Sequence, residues 1–122
     1  PDEESYQWAK HIAKSIKADA AILKKRRYSA RKVKVSLNKK IDLKNKDLVI
    51  IDDIISTGHT ILETIKDMKK LRPKRIYCIC IHGVFAENAL EKIKKHATVI
   101  STNTIPNKVS KIDVSSLIAE EL

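Results

Sequence analysis

Residues 48–60 read LVIIDDIISTGHT, an order that predicts a strand, an acidic pair, a turn and the start of a helix. The four apolar residues 48–51, three of them β-branched, are typical of a strand buried on both faces, as in a parallel sheet. Asp52 and Asp53 follow at the point where we expect that strand to end. From Thr60 onward apolar residues recur at steps of three and four, which predicts an amphipathic helix.

The turn before this helix has the composition of a phosphate cradle. The first turn of a helix leaves backbone N–H groups unpaired, and the helix dipole adds partial positive charge there. Gly58 lets the backbone approach an anion closely, and hydroxyl groups flank it on both sides. We therefore predict that the sugar phosphate of a ribose phosphate binds at Ser56, Thr57, Gly58, His59 and Thr60.

Asp52 and Asp53 suit another part of the same ligand, because carboxylates repel phosphate. An ionised carboxylate accepts two hydrogen bonds from vicinal sugar hydroxyls, and it is also a ligand for magnesium. The alternative is a buried strand followed by an N-capped helix. That alternative explains the apolar run and the hydroxyls but leaves two adjacent acids unexplained.

Length and composition indicate one domain, residues 1–122, with a formal net charge of +10. Aromatic residues are few and no basic recognition helix stands out, so we favour a solvated lysine-rich surface over a nucleic-acid partner. No apolar run has the length of a membrane span and no signal peptide is visible, so we expect a cytoplasmic protein without a membrane partner. Cys78 and Cys80 share one strand face and are expected to be reduced core residues.

The chain alternates strands and helices, which predicts an α/β fold of three layers, with a mostly parallel sheet and helices on both faces. We expect strands at 18–23, 48–51, 76–81, 97–100 and 112–114, and helices at 2–17, 60–72, 86–95 and 116–121. A basic cluster, Lys24–Arg27, follows the first predicted strand. Val33, Val35 and Leu37 alternate with polar residues, which favours an exposed hairpin or flap. His82 is interpreted as a hydrogen-bonded structural histidine.

Residues 48–60 closely resemble the phosphoribosyl-pyrophosphate-binding motif of the type I phosphoribosyltransferase fold, with His59 in place of the usual second glycine. Further segments resemble the ribose-phosphate pyrophosphokinase (phosphoribosyl-pyrophosphate synthetase) family. They are Pro1-Asp2, Lys24–Arg27, His82–Phe85 and Thr102–Pro106, where Asn103 replaces the family's common Asp. The resemblance covers nearly the whole chain but only the C-terminal half of the family's usual chain.

The resemblance implies transfer of diphosphate from ATP to ribose 5-phosphate, giving phosphoribosyl pyrophosphate and AMP, with magnesium. Lys25 and Arg27 would be catalytic residues on a mobile flap that stabilise the transferring diphosphoryl group. Asp52 and Asp53 would hold the ribose hydroxyls, directly or through magnesium, and Asp2 is a further candidate metal ligand.

The family's N-terminal half supplies most of the ATP site. We therefore expect this chain to bind ribose 5-phosphate but to be inactive alone, and we expect a homo-oligomer. Two alternatives stay open: a phosphoribosyltransferase that consumes phosphoribosyl pyrophosphate, and a non-catalytic regulatory homologue.

Overall fold

A computed structural model describes residues 3–27, 33–37 and 40–122, with the backbone alone at 3–5, 24–27 and 33–37. In chain order the elements are α1 (Glu3–Ser15), β1 (Leu23–Arg27), β2 (Val33–Leu37), β3 (Asp47–Ile55), α2 (His59–Lys69), β4 (Arg75–Gly83), a 3-10 turn (Ala86–Asn88), α3 (Ala89–Lys94), β5 (Thr98–Thr102), β6 (Ser110–Ile112) and α4 (Ser115–Glu120).

Four strands form one parallel sheet in the order β3-β4-β5-β6. Each connection carries the chain back to the start of the next strand, and α2 and α3 occupy two of these connections. Helices α2 and α3 contact each other, and α1 contacts β3. The predicted α/β class, with its mostly parallel sheet and its flanking helices, is confirmed. The carboxyl ends of parallel strands meet at one edge, so the loops after β3, β4 and β5 converge there.

The main core lies between this sheet and helices α2 and α3. Ile50 and Ile55 of β3 and Cys78 of β4 pack with Ile65 of α2 and Ile93 of α3. Fully burying an isoleucine contributes about 1.5–3 kcal/mol relative to leaving it exposed, so these contacts hold α2 firmly on β3. Both cysteines are free and buried, as predicted.

The first predicted strand was placed wrongly. Residues 18–22 form no regular element, and the strand instead begins at Leu23 and continues through the basic run to Arg27. It pairs antiparallel with β2, with Leu23 opposite Leu37 and Arg27 opposite Val33. Strand propensity depends strongly on cross-strand context, and here pairing with β2 outweighs the basic composition of the run. The predicted hairpin at 33–37 is confirmed, and it includes Lys24–Arg27 as its other strand.

The predicted helix at 86–95 divides into the 3-10 turn and α3. Glu87 and Asn88 have φ of 54° and 62°, in the left-handed region. A right-handed helix cannot pass through such residues, so α3 begins only at Ala89. Helix α2 likewise ends at Lys69, three residues before the predicted end.

Candidate functional site

Strand β3 continues through the acidic pair instead of ending before it. Ile54 pairs with His82 and Ile55 pairs with Gly83 in the parallel ladder with β4. The strand was expected to end at residue 51, and that expectation was wrong. Hydrogen bonding to β4 keeps the chain extended beyond the two acids, to Ile55. The two aspartates therefore lie close to the carboxyl end of a central strand, where α/β folds place ligands.

Both aspartates are oriented by the backbone that follows them. The N–H of Asp53 donates to Asp52 Oδ1 at 3.0 Å, and the N–H of Ile54 donates to Asp53 Oδ1 at 2.8 Å. Both carboxylates are partly buried. These hydrogen bonds fix the orientation of both carboxylates near the end of the strand.

Gly58 directly precedes α2, as its N-cap residue, in a conformation that favours glycine. Its φ of 76° and ψ of 6° are left-handed, and its carbonyl accepts the first helical hydrogen bond, from the Leu62 N–H at 2.8 Å. A Cβ atom at this position would lie 3.1 Å from Ile93 Cδ1 and 3.3 Å from Ala89 Cβ. Among the described residues no side chain caps α2, so its first N–H groups are available to a ligand.

The acids and the turn line the same cavity of about 260 Å³, which is formed by residues 52–61. All seven residues predicted to bind ribose phosphate line it: Asp52, Asp53, Ser56, Thr57, Gly58, His59 and Thr60. Carboxylates lie on the strand side, and hydroxyl and backbone N–H groups lie at the start of the helix. The cavity therefore offers one region for a diol or a cation and another for an anion.

For the remaining predicted site residues, the described part of the chain gives no side-chain position. Lys25 and Arg27 lie on β1, for which the backbone alone is described, and Asp2 lies outside the described residues. Their roles stay predictions.

The loop after β5 is fixed on β4 by side chains. Thr102 and Thr104 both donate hydroxyl hydrogen bonds to the Ile81 carbonyl, at 2.6 and 3.0 Å, and His82 Nδ1 is 2.8 Å from Thr104 Oγ1. His82 is hydrogen-bonded, as expected, and its structural role stays a prediction. This network attaches the loop after β5 to the carboxyl end of β4.

One residue near the cavity escaped the sequence analysis. Glu87 Oε2 lies 3.8 Å from Nε2 of His59, across from the start of α2. No motif marks it, because the contact depends on the left-handed turn that breaks the predicted helix.

The chain is similar to known proteins in sequence and in fold. The family described as phosphoribosyl transferase domain matches residues 1–118. The chain belongs to this family. It is 38% identical over 116 residues to a ribose-phosphate pyrophosphokinase of Pyrococcus furiosus, covering 93% of this chain and 41% of the relative. It is 36% identical over 129 residues to the enzyme of that name from Thermotoga maritima, covering 100% of this chain and 41% of the relative.

A solved structure shows the same fold. The phosphoribosylpyrophosphate synthetase of Mycobacterium smegmatis superposes with a TM-score of 0.74 at 24% sequence identity, covering 99% of this chain and 41% of that chain. The phosphoribosyltransferase fold predicted from the sequence is confirmed. The chain spans less than half the length of these relatives.

Proposed function

We propose that this chain is the ribose 5-phosphate-binding domain of a ribose-phosphate pyrophosphokinase. The observation that carries the proposal is the cavity lined by the acidic pair and by the turn from Ser56 to Thr60. The names of the relatives from Pyrococcus furiosus and Thermotoga maritima support it. In this assignment the sugar phosphate binds at the start of α2, and the ribose hydroxyls donate to Asp52 and Asp53.

The proposed reaction requires the site mainly to position its substrates, without covalent chemistry by the protein. In the proposed reaction the anomeric hydroxyl of ribose 5-phosphate attacks the β-phosphorus of ATP, and AMP leaves. Such a transfer depends on alignment of the two substrates and on neutralisation of phosphate charge. The cradle and the acids would fix the sugar, and Lys25 and Arg27 are proposed to stabilise the diphosphoryl group.

The acidic pair fits a magnesium ion that shares its coordination with substrate. Magnesium is usually bound by one or two carboxylates, with water and substrate phosphates completing the octahedron. Asp52 and Asp53 supply that number, and the described residues contain no cluster of three or more metal-ligating side chains. When bound, the ion would neutralise phosphate charge; Asp2 stays a proposed further ligand.

Calorimetric titration with ribose 5-phosphate tests the assignment. The double variant Asp52→Asn plus Asp53→Asn should lose affinity, at about 1.5–3 kcal/mol for each charged hydrogen bond removed. Asp42→Asn is the matched control, since Asp42 Oδ1 also accepts a backbone N–H, that of Lys44, at 3.0 Å outside the cavity. Equal affinity in all three proteins would restrict the pair to a structural role.

The same cavity would serve a phosphoribosyltransferase that consumes phosphoribosyl pyrophosphate, and the name of the matching family favours keeping this second candidate. The two functions differ in the second substrate. Binding of ATP by the longer protein supports the synthetase, and binding of a nucleobase supports the transferase. A protein that binds neither would be the non-catalytic regulatory homologue.

No helix within residues 3–27, 33–37 and 40–122 is long and apolar enough to cross a membrane. We propose a cytoplasmic homo-oligomer whose partners are ribose 5-phosphate and ATP, without nucleic acid or membrane partners. Size-exclusion chromatography with light scattering measures the oligomeric state, and a monomer at all concentrations would contradict that part of the proposal.

A further inference from the structure

The turn after β4 brings an acidic side chain to the phosphate cradle under backbone strain. Glu87 has φ of 54° and ψ of 39°, and its neighbours Phe85 and Asn88 also have positive φ. Left-handed backbone at a residue other than glycine persists only where its surroundings impose it, and it concentrates at functional sites. Its carboxylate is 3.8 Å from the imidazole of His59.

His59 is the first residue of α2 and lines the cavity. Side chains of a helix lean toward its N-terminus, so a side chain at the first position leans toward any anion held there. Its exposed fraction is 48%, which leaves the ring accessible to a ligand. The position therefore gives the imidazole access to the same anion that the backbone N–H groups would bind.

We infer that protonated His59 is a phosphate ligand of the cradle and that Glu87 competes with the phosphate for it. The inference rests on the proposed phosphate site and adds to it a positive charge that depends on pH. The distance of 3.8 Å exceeds hydrogen-bond range, and an exposed ion pair of this kind is weak. An arriving dianion can therefore displace the Glu87 carboxylate from the imidazole.

The other charged side chains on the elements at this corner are mostly acidic. They are Asp47, Asp52 and Asp53 of β3, Glu63, Lys66, Asp67 and Lys69 of α2, and Glu91, Lys92 and Lys94 of α3. Carboxylates near an anion site weaken anion binding, so a protonated imidazole at the start of α2 should raise the affinity for an anion there. Histidine is the residue type that ordinarily changes charge between pH 5 and 8, whereas carboxylates stay ionised there.

Inorganic sulfate is the probe, because its charge is constant between pH 5.5 and 8.0 whereas phosphate esters titrate near pH 6. Binding is followed by chemical-shift titration of backbone amides. We expect the unmodified chain to bind sulfate about tenfold more tightly at pH 5.5 than at pH 8.0, the effect of one charged hydrogen bond. His59→Gln should remove that pH dependence, and His11→Gln, at an exposed position of α1, should keep it.

Glu87→Gln should tighten sulfate binding at pH 5.5 by about two- to fivefold, the effect of removing a weak exposed competitor. The same change made in His59→Gln should have no effect, because the imidazole for which Glu87 competes is gone. Glu120→Gln, at an exposed acid of α4 that does not line the cavity, is the matched control and should leave the affinity unchanged.

The outcomes separate this inference from the proposed function. The role of His59 is overturned if the unmodified chain binds sulfate equally at both pH values, or if binding stays pH-dependent in His59→Gln. Neither result affects the proposal that the chain binds ribose 5-phosphate. A Glu87→Gln effect of equal size in both backgrounds means that Glu87 repels the anion directly, which overturns the competition. If the unmodified chain binds neither sulfate nor ribose 5-phosphate, the proposed function fails with it.

Discussion

Asp52 and Cys80 are direct partners in the parallel register of β3 and β4. Burial, and next the Asp52 carboxylate, raise the pKa of the Cys80 thiol to about 11. Burial, and next Cys80, raise the pKa of Cys78 to about 12. The layer of the core next to the acidic pair therefore holds neutral thiols, so the negative charge at this end of the sheet is concentrated on the carboxylates.

These thiols should be inert in the folded protein. At pH 8 we expect alkylation of Cys78 and Cys80 by iodoacetamide to be slow in buffer and complete in guanidinium chloride, because the reactive species is the thiolate. Mass spectrometry counts the modified sites. Rapid labelling of the native protein would show that the core opens at β4.

The same pKa shifts predict a loss of stability at alkaline pH. The folded pKa values are raised from 9.0, so their contribution to stability is complete below about pH 9 and is lost as pH rises toward 11 and 12. Urea unfolding at pH 8 and pH 10 measures the loss. Between pH 8 and pH 10 the double variant Cys78→Ala plus Cys80→Ala should lose less unfolding free energy than the unmodified chain. An equal loss in both proteins would mean that lysines and tyrosines cause the effect.

Gly58→Ala should damage both the fold and the cavity. The new Cβ would sit at a φ of 76° and would press on Ile93 and Ala89. Left-handed strain at one residue costs about 1–3 kcal/mol, and a shift of α3 to relieve the contact would also move the start of α2. Urea unfolding and sulfate titration report the two effects separately. Stability and sulfate affinity equal to those of the unmodified chain would contradict the conformation described for Gly58.

Asn107 should be the residue of the loop after β5 that is least tolerant of change. Its Oδ1 accepts the Val109 N–H at 2.9 Å and the Ser101 hydroxyl at 3.2 Å, and its Nδ2 donates to the carbonyls of Ile105 and Gly83 at 2.9 and 3.4 Å. Asn107→Ala removes all four hydrogen bonds and leaves the buried Ser101 hydroxyl without its acceptor. We expect a loss of about 2–3 kcal/mol in the free energy of unfolding.

Lys108→Ala is the matched control, since Lys108 is the exposed neighbour in the same loop. A surface substitution of this kind stays within about 0.5 kcal/mol. Asn107→Asp keeps both acceptor contacts and loses the two donors, so it should have intermediate stability. Equal stability of all variants would mean that the loop is held by its threonines instead.

Local patterns were sufficient to predict the central part of the fold. The apolar run, the acids and the change to helical spacing at residues 48–60 are all short-range signals, and they place β3, the turn and α2 next to one another. The order of strands and helices gives the parallel sheet. The end of β3 depends on pairing of Ile54 and Ile55 with β4, and the end predicted from the sequence was therefore too early.

Two features could not be predicted, because one depends on strand pairing and the other on the backbone angles of single residues. Residues 18–22 are apolar enough to suggest a strand, yet the strand forms at Leu23–Arg27, where β2 supplies the hydrogen-bonding partner. Glu87 lies in a pattern typical of a helix, and only its left-handed backbone brings it to His59. Single residues other than glycine with positive φ have weak sequence signals.

We expect the 122-residue chain to bind ribose 5-phosphate and to release no AMP when ATP and magnesium are added. The proposed cradle is local, because residues 52–61 line it within one strand, turn and helix. Diphosphate transfer also requires ATP in line with the anomeric hydroxyl, and the family resemblance implies that most ATP contacts come from the half of the relatives that this chain does not span.

Fusing the chain to the remaining part of the Pyrococcus furiosus relative should restore AMP release. In that fusion Lys25→Ala and Arg27→Ala should lower kcat far more than they lower affinity for ribose 5-phosphate, because the proposed role of both is to stabilise charge in the transferring group. Lys10→Ala on α1 is the control and should leave both unchanged. Robust AMP release by the 122-residue chain alone would mean that its own residues bind ATP, and the proposed division between sugar binding and nucleotide binding would be wrong.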